Sequence, residues 1–180
     1  MIDLPPVRIG RLTARVSDEA AGRVINTRNE ISFLLNGADL EPVGAAPGSI
    51  LIIKSLNDPA PGQFRSPNSR FRVSADWERA ARDRIEELRR AAARPIRGQI
   101  APDSEAVLFA DEAEMLACLA LDLCHGLATH RWWWESIRSS LPVGGVFEVL
   151  RERAAQLPAV MDVLESWRAA EDIRQTFSET

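Results

Sequence analysis

The chain has 180 residues, of which 46% are hydrophobic and 27% are charged. This length and balance are typical of one globular domain and exclude an intrinsically disordered chain. The net charge of −4 argues against a general binder of nucleic acid or of membrane surfaces, and two cysteines exclude a disulfide scaffold.

Two strands and one helix are predicted in the first third of the chain. Apolar residues alternate over 7–16 and predict a strand, and the β-branched run within 50–56 is typical of a buried strand. Between them, Ser17 and Gly37 have the residue types of a helix start and a helix end. The Pro- and Asn-rich residues 57–73 then predict a long exposed loop.

Helices are predicted for everything after this loop. Ser74 or Asp76 caps the first helix, which ends near Pro95 because the residue before proline avoids helical backbone. An Asp-x-x-Glu pattern at Asp111 opens a second, very apolar helix, which stops at Gly126. A third helix carries a run of tryptophans, and two more helices follow it.

These elements predict an α+β protein. Its first part, 1–73, is a small strand–helix–strand unit that ends in the long loop. Its second part, 74–180, is a layer of four to five helices packed on that unit as one compact domain. If the two predicted strands are parallel neighbours, the crossover between them is right-handed.

The cellular compartment is predicted from the ends and the basic residues of the chain. No run approaches the ~20 apolar residues of a membrane helix, and the first residues lack the layout of a signal peptide. Lys54 is the only lysine among the 22 basic residues. This bias spans the chain and indicates a GC-rich bacterial genome; the alternative is selection for planar guanidinium groups at interfaces. We therefore expect a bacterial cytoplasmic protein.

Arginine is concentrated in the first helix of the second part and just after it. Acidic residues are interleaved with these arginines at i, i+3 or i, i+4 spacing, which predicts a solvated and ion-paired helix face. The C-terminal end of the run is the part that we expect to reach an acidic partner. It comprises Arg89, Arg90, Arg94 and Arg97.

The second helix of this part carries residue types that a hydrolase or a metal site uses. Cys118, Asp122 and His125 lie on one stripe of it, and a small hydrolase is therefore one alternative. Cys118 and His125 are about 10 Å apart along the axis, too far for a Cys–His nucleophile pair. Cys124 diverges from Cys118 by about 120° around the axis, so the two cannot ligate one zinc ion. We therefore expect no catalytic residue, no metal and no cofactor.

The run of three tryptophans after Arg131 is the most unusual feature of the sequence. Three consecutive helical residues span about 200° of arc, so one core face cannot bury all of them. Either the helix lies between two layers, or at least one tryptophan is exposed; exposed tryptophan beside arginine is typical of an interface hot spot. The predicted protein-binding surface comprises Arg131, Trp132, Trp133 and Trp134 together with Arg89, Arg90, Arg94 and Arg97.

Several segments of the chain resemble proteins encoded with phage-tail-like contractile injection systems. They are the patterns Ile9-x-x-Leu12-x-x-x-Val16 and Ile50-Leu51-Ile52-Ile53-x-x-Leu56, the motif Ala93-Arg94-Pro95, the segment from Glu105 to Asp111 and the tryptophan run. The resemblance implies a non-enzymatic assembly subunit whose surfaces bind other proteins.

We therefore predict a non-catalytic structural or assembly subunit of a bacterial multiprotein complex. Two alternatives remain, namely an adaptor or regulatory protein of a bacterial defence or signalling system, and the small hydrolase described above. The expected partners are other protein subunits, in a hetero- or homo-oligomer, and neither a membrane nor nucleic acid.

Overall fold

The computed structural model describes residues 9, 31–61, 73–98, 100–137 and 146–167. The chain divides into two compact units. Unit 1 comprises Met1–Ala45 and Leu56–Glu87, and unit 2 comprises Ala46–Ser55 and Leu88–Thr180. The predicted division of the chain after residue 73 stays a prediction.

The described part of unit 1 begins with the end of the first predicted helix. Residues 31–36 are helical, and Gly37 ends the helix by donating its N–H to the carbonyls of Phe33 and Leu34, both at 3.2 Å. The end of this helix is therefore confirmed. Its start at Ser17 and the strand over 7–16 lie outside the described residues, apart from the exposed Ile9.

Helix α1 (Ala75–Ala91) begins where the sequence predicts it. The Ser74 hydroxyl accepts a hydrogen bond of 3.2 Å from the Trp77 backbone N–H, so Ser74 is the cap. In unit 1, the helix buries residues spaced by one turn, Trp77, Ala81 and Ile85. The Trp77 indole N–H donates to Asp58 at 2.9 Å, which satisfies its buried polar atom.

The predicted ion-paired face of α1 is confirmed in unit 1. Arg79 bonds Asp76 at 3.1 Å, and Arg84 bonds Glu87 at 3.0 Å, both at i, i+3 spacing. All four side chains are largely exposed, so these pairs stabilise the helix only weakly.

Unit 2 contains a sheet of two antiparallel strands, β1 (Ile50–Ile53) and β2 (Ala106–Phe109). Ile52 pairs with Val107, and both are buried. The predicted strand within 50–56 is confirmed over its first four residues. Ala93 adds a short parallel bridge, because its N–H donates to Ala106 at 3.0 Å and its carbonyl accepts from Leu108 at 2.9 Å.

The expectation of helices alone after residue 73 is wrong, because β2 lies there. Four consecutive apolar residues are too few to distinguish a strand from part of a buried helix. The bridge to Ala93 also explains why α1 ends at Ala91, ahead of the predicted end near Pro95, since the backbone of Ala93 bonds to the sheet and not to the helix.

Helix α2 (Glu112–Cys124) is the centre of unit 2, and its eight residues from Ala113 to Ala120 are all buried. Asp111 caps it as predicted, with its carboxylate accepting from the Glu114 backbone N–H at 2.8 Å. The helix ends before Gly126, whose φ of 67° is the left-handed conformation that favours glycine.

Three shorter helices complete the described part of unit 2: α3 (Trp132–Ile137), α4 (Val146–Glu152) and α5 (Leu157–Ser166). Both α4 and α5 pack on α2. They bury four aliphatic side chains in its core, namely Val149, Leu150, Val160 and Leu164. The fold is α+β, as predicted. In the described part of the chain, none of the helices has the length and apolar character of a membrane span.

Candidate functional site

The tryptophan run lies at the N-terminus of α3 and is divided between core and surface. Trp133 and Trp134 are each 3% exposed, whereas Trp132 is partly exposed. The Trp134 ring stacks on Phe109 of β2 with centroids 5.6 Å apart. As expected for three consecutive helical residues, the core does not bury all of them, and the one that reaches the surface is Trp132.

Trp132 is held at the surface by neighbours on two sides. Its ring meets Trp133 edge to face, with centroids 5.7 Å apart and planes at 89°. The Nζ atom of Lys54, just after β1, lies 5.9 Å from the centroid of the Trp132 ring, within cation–π range. These two contacts restrict the orientation of the indole.

Asp122 on α2 connects the tryptophan run to the central helix. Its Oδ2 accepts a hydrogen bond of 2.7 Å from the Trp134 indole N–H. Its Oδ1 lies 3.8 Å from Nε of Arg131, and the Arg131 guanidinium lies 5.2 Å from the centroid of the Trp133 ring. Arg131 is thus fixed between a carboxylate and an aromatic face.

Arg94 is about three-quarters buried and pairs with a residue of α2. One of its terminal nitrogens donates to both carboxylate oxygens of Glu114, at 2.8 and 3.0 Å. The Glu114 side chain is 5% exposed, so Arg94 supplies the charge that allows this carboxylate to be buried.

The other predicted arginines lie nearer to solvent. Arg90 and Arg97 are exposed, and Arg89 is partly exposed. Arg89 and Arg90 occupy the last turn of α1, where a positive charge is favourable at the negative end of the helix dipole. Trp133, Trp134 and Arg94 therefore make contacts inside unit 2. The other residues of the predicted protein-binding surface are at least partly accessible.

The residues of the hydrolase alternative occupy different environments. Cys118 is buried, whereas His125 is exposed at the end of α2. Burial raises the pKa of the Cys118 thiol, and the negative charges of Glu114 and Asp122 raise it further. Because the thiolate is the nucleophile, this environment works against nucleophilic chemistry at Cys118. In the part of the chain that the structure describes, no group of three His, Cys, Asp or Glu could hold a metal ion.

A small pocket opens beside Asp122 and Arg131. It has a volume of about 70 Å³ and is formed by α2, by the segment after α1, by the start of α3 and by the end of α5. Its lining residues are Pro95, Gly98, Ile100, Cys118, Leu121, Asp122, Arg131, Trp133 and Trp167. The sequence singled out Cys118, Asp122, Arg131 and Trp133 but not the pocket that they line together. No motif relates residues that only the packing of four segments brings together.

Comparisons with protein-family models, with curated proteins and with solved structures found no significant match. The resemblance to proteins of contractile injection systems therefore rests on the sequence motifs alone and stays a prediction.

Proposed function

We propose that this chain is a non-catalytic, protein-binding subunit of a bacterial multiprotein assembly of the contractile-injection-system kind. The observation that supports this function best is Trp132, a large aromatic side chain that stays partly exposed beside two fully buried tryptophans. Tryptophan is one of the residue types enriched in the hot spots near the centres of protein interfaces.

The setting of Trp132 favours binding for an energetic reason. Its contacts with Trp133 and Lys54 restrict the indole before binding, so a partner that covers it loses little additional side-chain entropy. The partner then removes the remaining apolar surface of the ring from water, which is the main favourable term in association.

The two alternative functions differ in what supports them. The raised pKa of the Cys118 thiol counts against the small hydrolase. An adaptor of a bacterial defence or signalling system would use the same tryptophan surface, so the identity of the bound protein distinguishes it from an assembly subunit.

Purification from the native host tests this function. Tagged wild-type protein, Trp132→Ala and Leu157→Ala are isolated, and the bound proteins are identified and quantified by mass spectrometry. Leu157 is a matched control, because it is also an exposed apolar residue of unit 2 but lies outside the tryptophan run.

We expect structural subunits of one assembly to accompany the wild type and Leu157→Ala. Their recovery with Trp132→Ala should fall about tenfold or more, since a hot-spot residue contributes at least about 2 kcal/mol. Recovery that does not change with Trp132→Ala, or recovery of defence or signalling proteins alone, contradicts the proposal.

A further inference from the structure

The pocket beside Arg131 combines apolar walls with a single fixed cation. Leu121, Ile100 and Pro95 are apolar lining residues, and Arg131 is the cationic one. The Trp133 ring, 5.2 Å away, and the Asp122 carboxylate hold that group in one orientation. The pocket therefore has the layout of a specificity site, in which few polar atoms stand among apolar walls.

Arg131 retains unused hydrogen-bonding capacity. Its side chain is 28% exposed, and its only close carboxylate contact within the described residues is from Nε to Asp122, at 3.8 Å. That distance is too long for a hydrogen bond, and neither terminal nitrogen of Arg131 bonds another described residue. A planar guanidinium held in this way is ready to pair with a planar acceptor that has two oxygens.

Trp133 contributes an aromatic wall to the pocket. Its side chain is 3% exposed, and its indole N–H is buried and has no hydrogen-bond partner within the described part of the chain. Because the ring lies beside the pocket, the signal of this N–H can report on a ligand that enters it.

The size and charge of the pocket limit the ligand further. A volume of about 70 Å³ accommodates a few heavy atoms, since one water requires at least ~10–15 Å³ of such volume. This suits the end of an acidic side chain and excludes a nucleotide. The negative charge of Asp122 offsets that of Arg131, and it disfavours a doubly charged phosphate more than a singly charged carboxylate.

We propose that this pocket binds the carboxylate of an Asp or Glu side chain from the partner protein, paired with the terminal nitrogens of Arg131. The methylene groups of the acidic side chain then pack against Leu121 and Ile100. Arg97, exposed on the segment that forms one wall, adds positive charge that attracts an acidic segment. This inference rests on the proposed function, because it names the chemistry of the partner.

Binding of small probes to the full chain tests the site by NMR. The probes are N-acetyl-glutamate N-methylamide, the matching glutamine compound, acetate and inorganic phosphate. The reporters are the indole N–H signals of the five tryptophans, assigned by single Trp→Phe variants. The Trp77 signal is an internal control, because its N–H is already bonded to Asp58.

We expect the glutamate compound to shift the Trp133 signal in a saturable way and to leave the Trp77 signal unchanged. The glutamine compound should bind at least tenfold more weakly. Arg131→Gln should abolish the shift, and Arg131→Lys, which keeps the charge but loses the planar fork, should weaken it. Unchanged urea denaturation of both variants shows that the fold is intact.

Three results would overturn the proposal: no shift with the glutamate compound, equal binding of the glutamine compound, or binding of acetate or phosphate alone. The last would identify a site for free small anions.

Purification from the host with Arg131→Gln separates this inference from the proposed function. If this variant keeps the partner that Trp132→Ala loses, the pocket proposal fails and the proposed function stands. If the glutamate compound binds but no assembly partner is recovered with wild type, the proposed function fails and the pocket remains a carboxylate site.

Discussion

Arg94 and Glu114 form a largely buried ion pair that links the segment after α1 to the first turn of α2, with contacts of 2.8 and 3.0 Å. Glu114 is one of the eight consecutive buried residues of α2. A buried carboxylate is tolerated only with such a partner, so this contact determines how the two segments meet.

Arg94→Ala should therefore lower the free energy of unfolding by about 3–5 kcal/mol, because Glu114 stays buried without its counter-charge. The double variant Arg94→Met, Glu114→Leu should lose much less, since it removes both charges and keeps the volume. Urea denaturation of the three proteins measures the difference. Equal losses in the single and double variants would show that packing, and not charge, is what the pair provides.

Truncation of Trp134 should lower stability more than truncation of Trp132. Trp134→Ala removes a fully buried ring that stacks on Phe109 and should cost about 3–5 kcal/mol of stability. Trp132→Ala should cost clearly less, because part of its ring is already in water. Thermal unfolding of both variants measures this order, and a larger loss for Trp132 would contradict it.

The Trp134 indole N–H also has a role of its own, as donor to Asp122. Trp134→Phe keeps an aromatic ring beside Phe109 but removes the hydrogen bond of 2.7 Å. We expect a loss of about 1–3 kcal/mol, because the Asp122 carboxylate then lacks a donor in a poorly hydrated position. The double-mutant cycle with Asp122→Ala, which removes the acceptor, isolates this bond, and a coupling energy near zero would show that it contributes nothing.

Cys118 should make stability depend on alkaline pH. Burial raises the pKa of its thiol in the folded state above the ordinary value of 9.0. The contribution of the buried neutral thiol to stability is therefore complete below pH 9.0. It is lost progressively as the pH rises above 9.0, because the thiol of the unfolded chain releases its proton first. Wild type should lose up to about 1.4 kcal/mol per pH unit relative to Cys118→Ala above pH 9. Parallel pH profiles of the two proteins would refute this.

The Asp111 cap allows a local test of α2. Asp111→Ala removes the acceptor of the Glu114 backbone N–H and should cost about 0.5–2 kcal/mol, while Asp111→Ser should retain most of the stability. Urea denaturation of the two variants measures the effect. An equal loss in both would mean that the carboxylate acts by its charge at the helix N-terminus rather than as a hydrogen-bond acceptor.

Sequence alone determined the features that depend on neighbouring residues. Ser74 and Asp111 cap their helices, and Gly37 and Gly126 end theirs, because capping and left-handed backbone involve atoms only a few residues apart. For the three tryptophans, helical geometry excluded burial on one face and left two outcomes, a helix between two layers or at least one exposed ring.

Tertiary structure decided which partners those residues meet. The pairing of β1 with β2, the ion pair of Arg94 with Glu114 and the pocket beside Arg131 all join segments that are far apart in sequence. No local pattern specifies such contacts, because several acidic residues and several short apolar runs were equally suitable partners. The choice of Trp132 as the exposed tryptophan has the same origin, since packing against β2 and α2 fixes the rotation of α3.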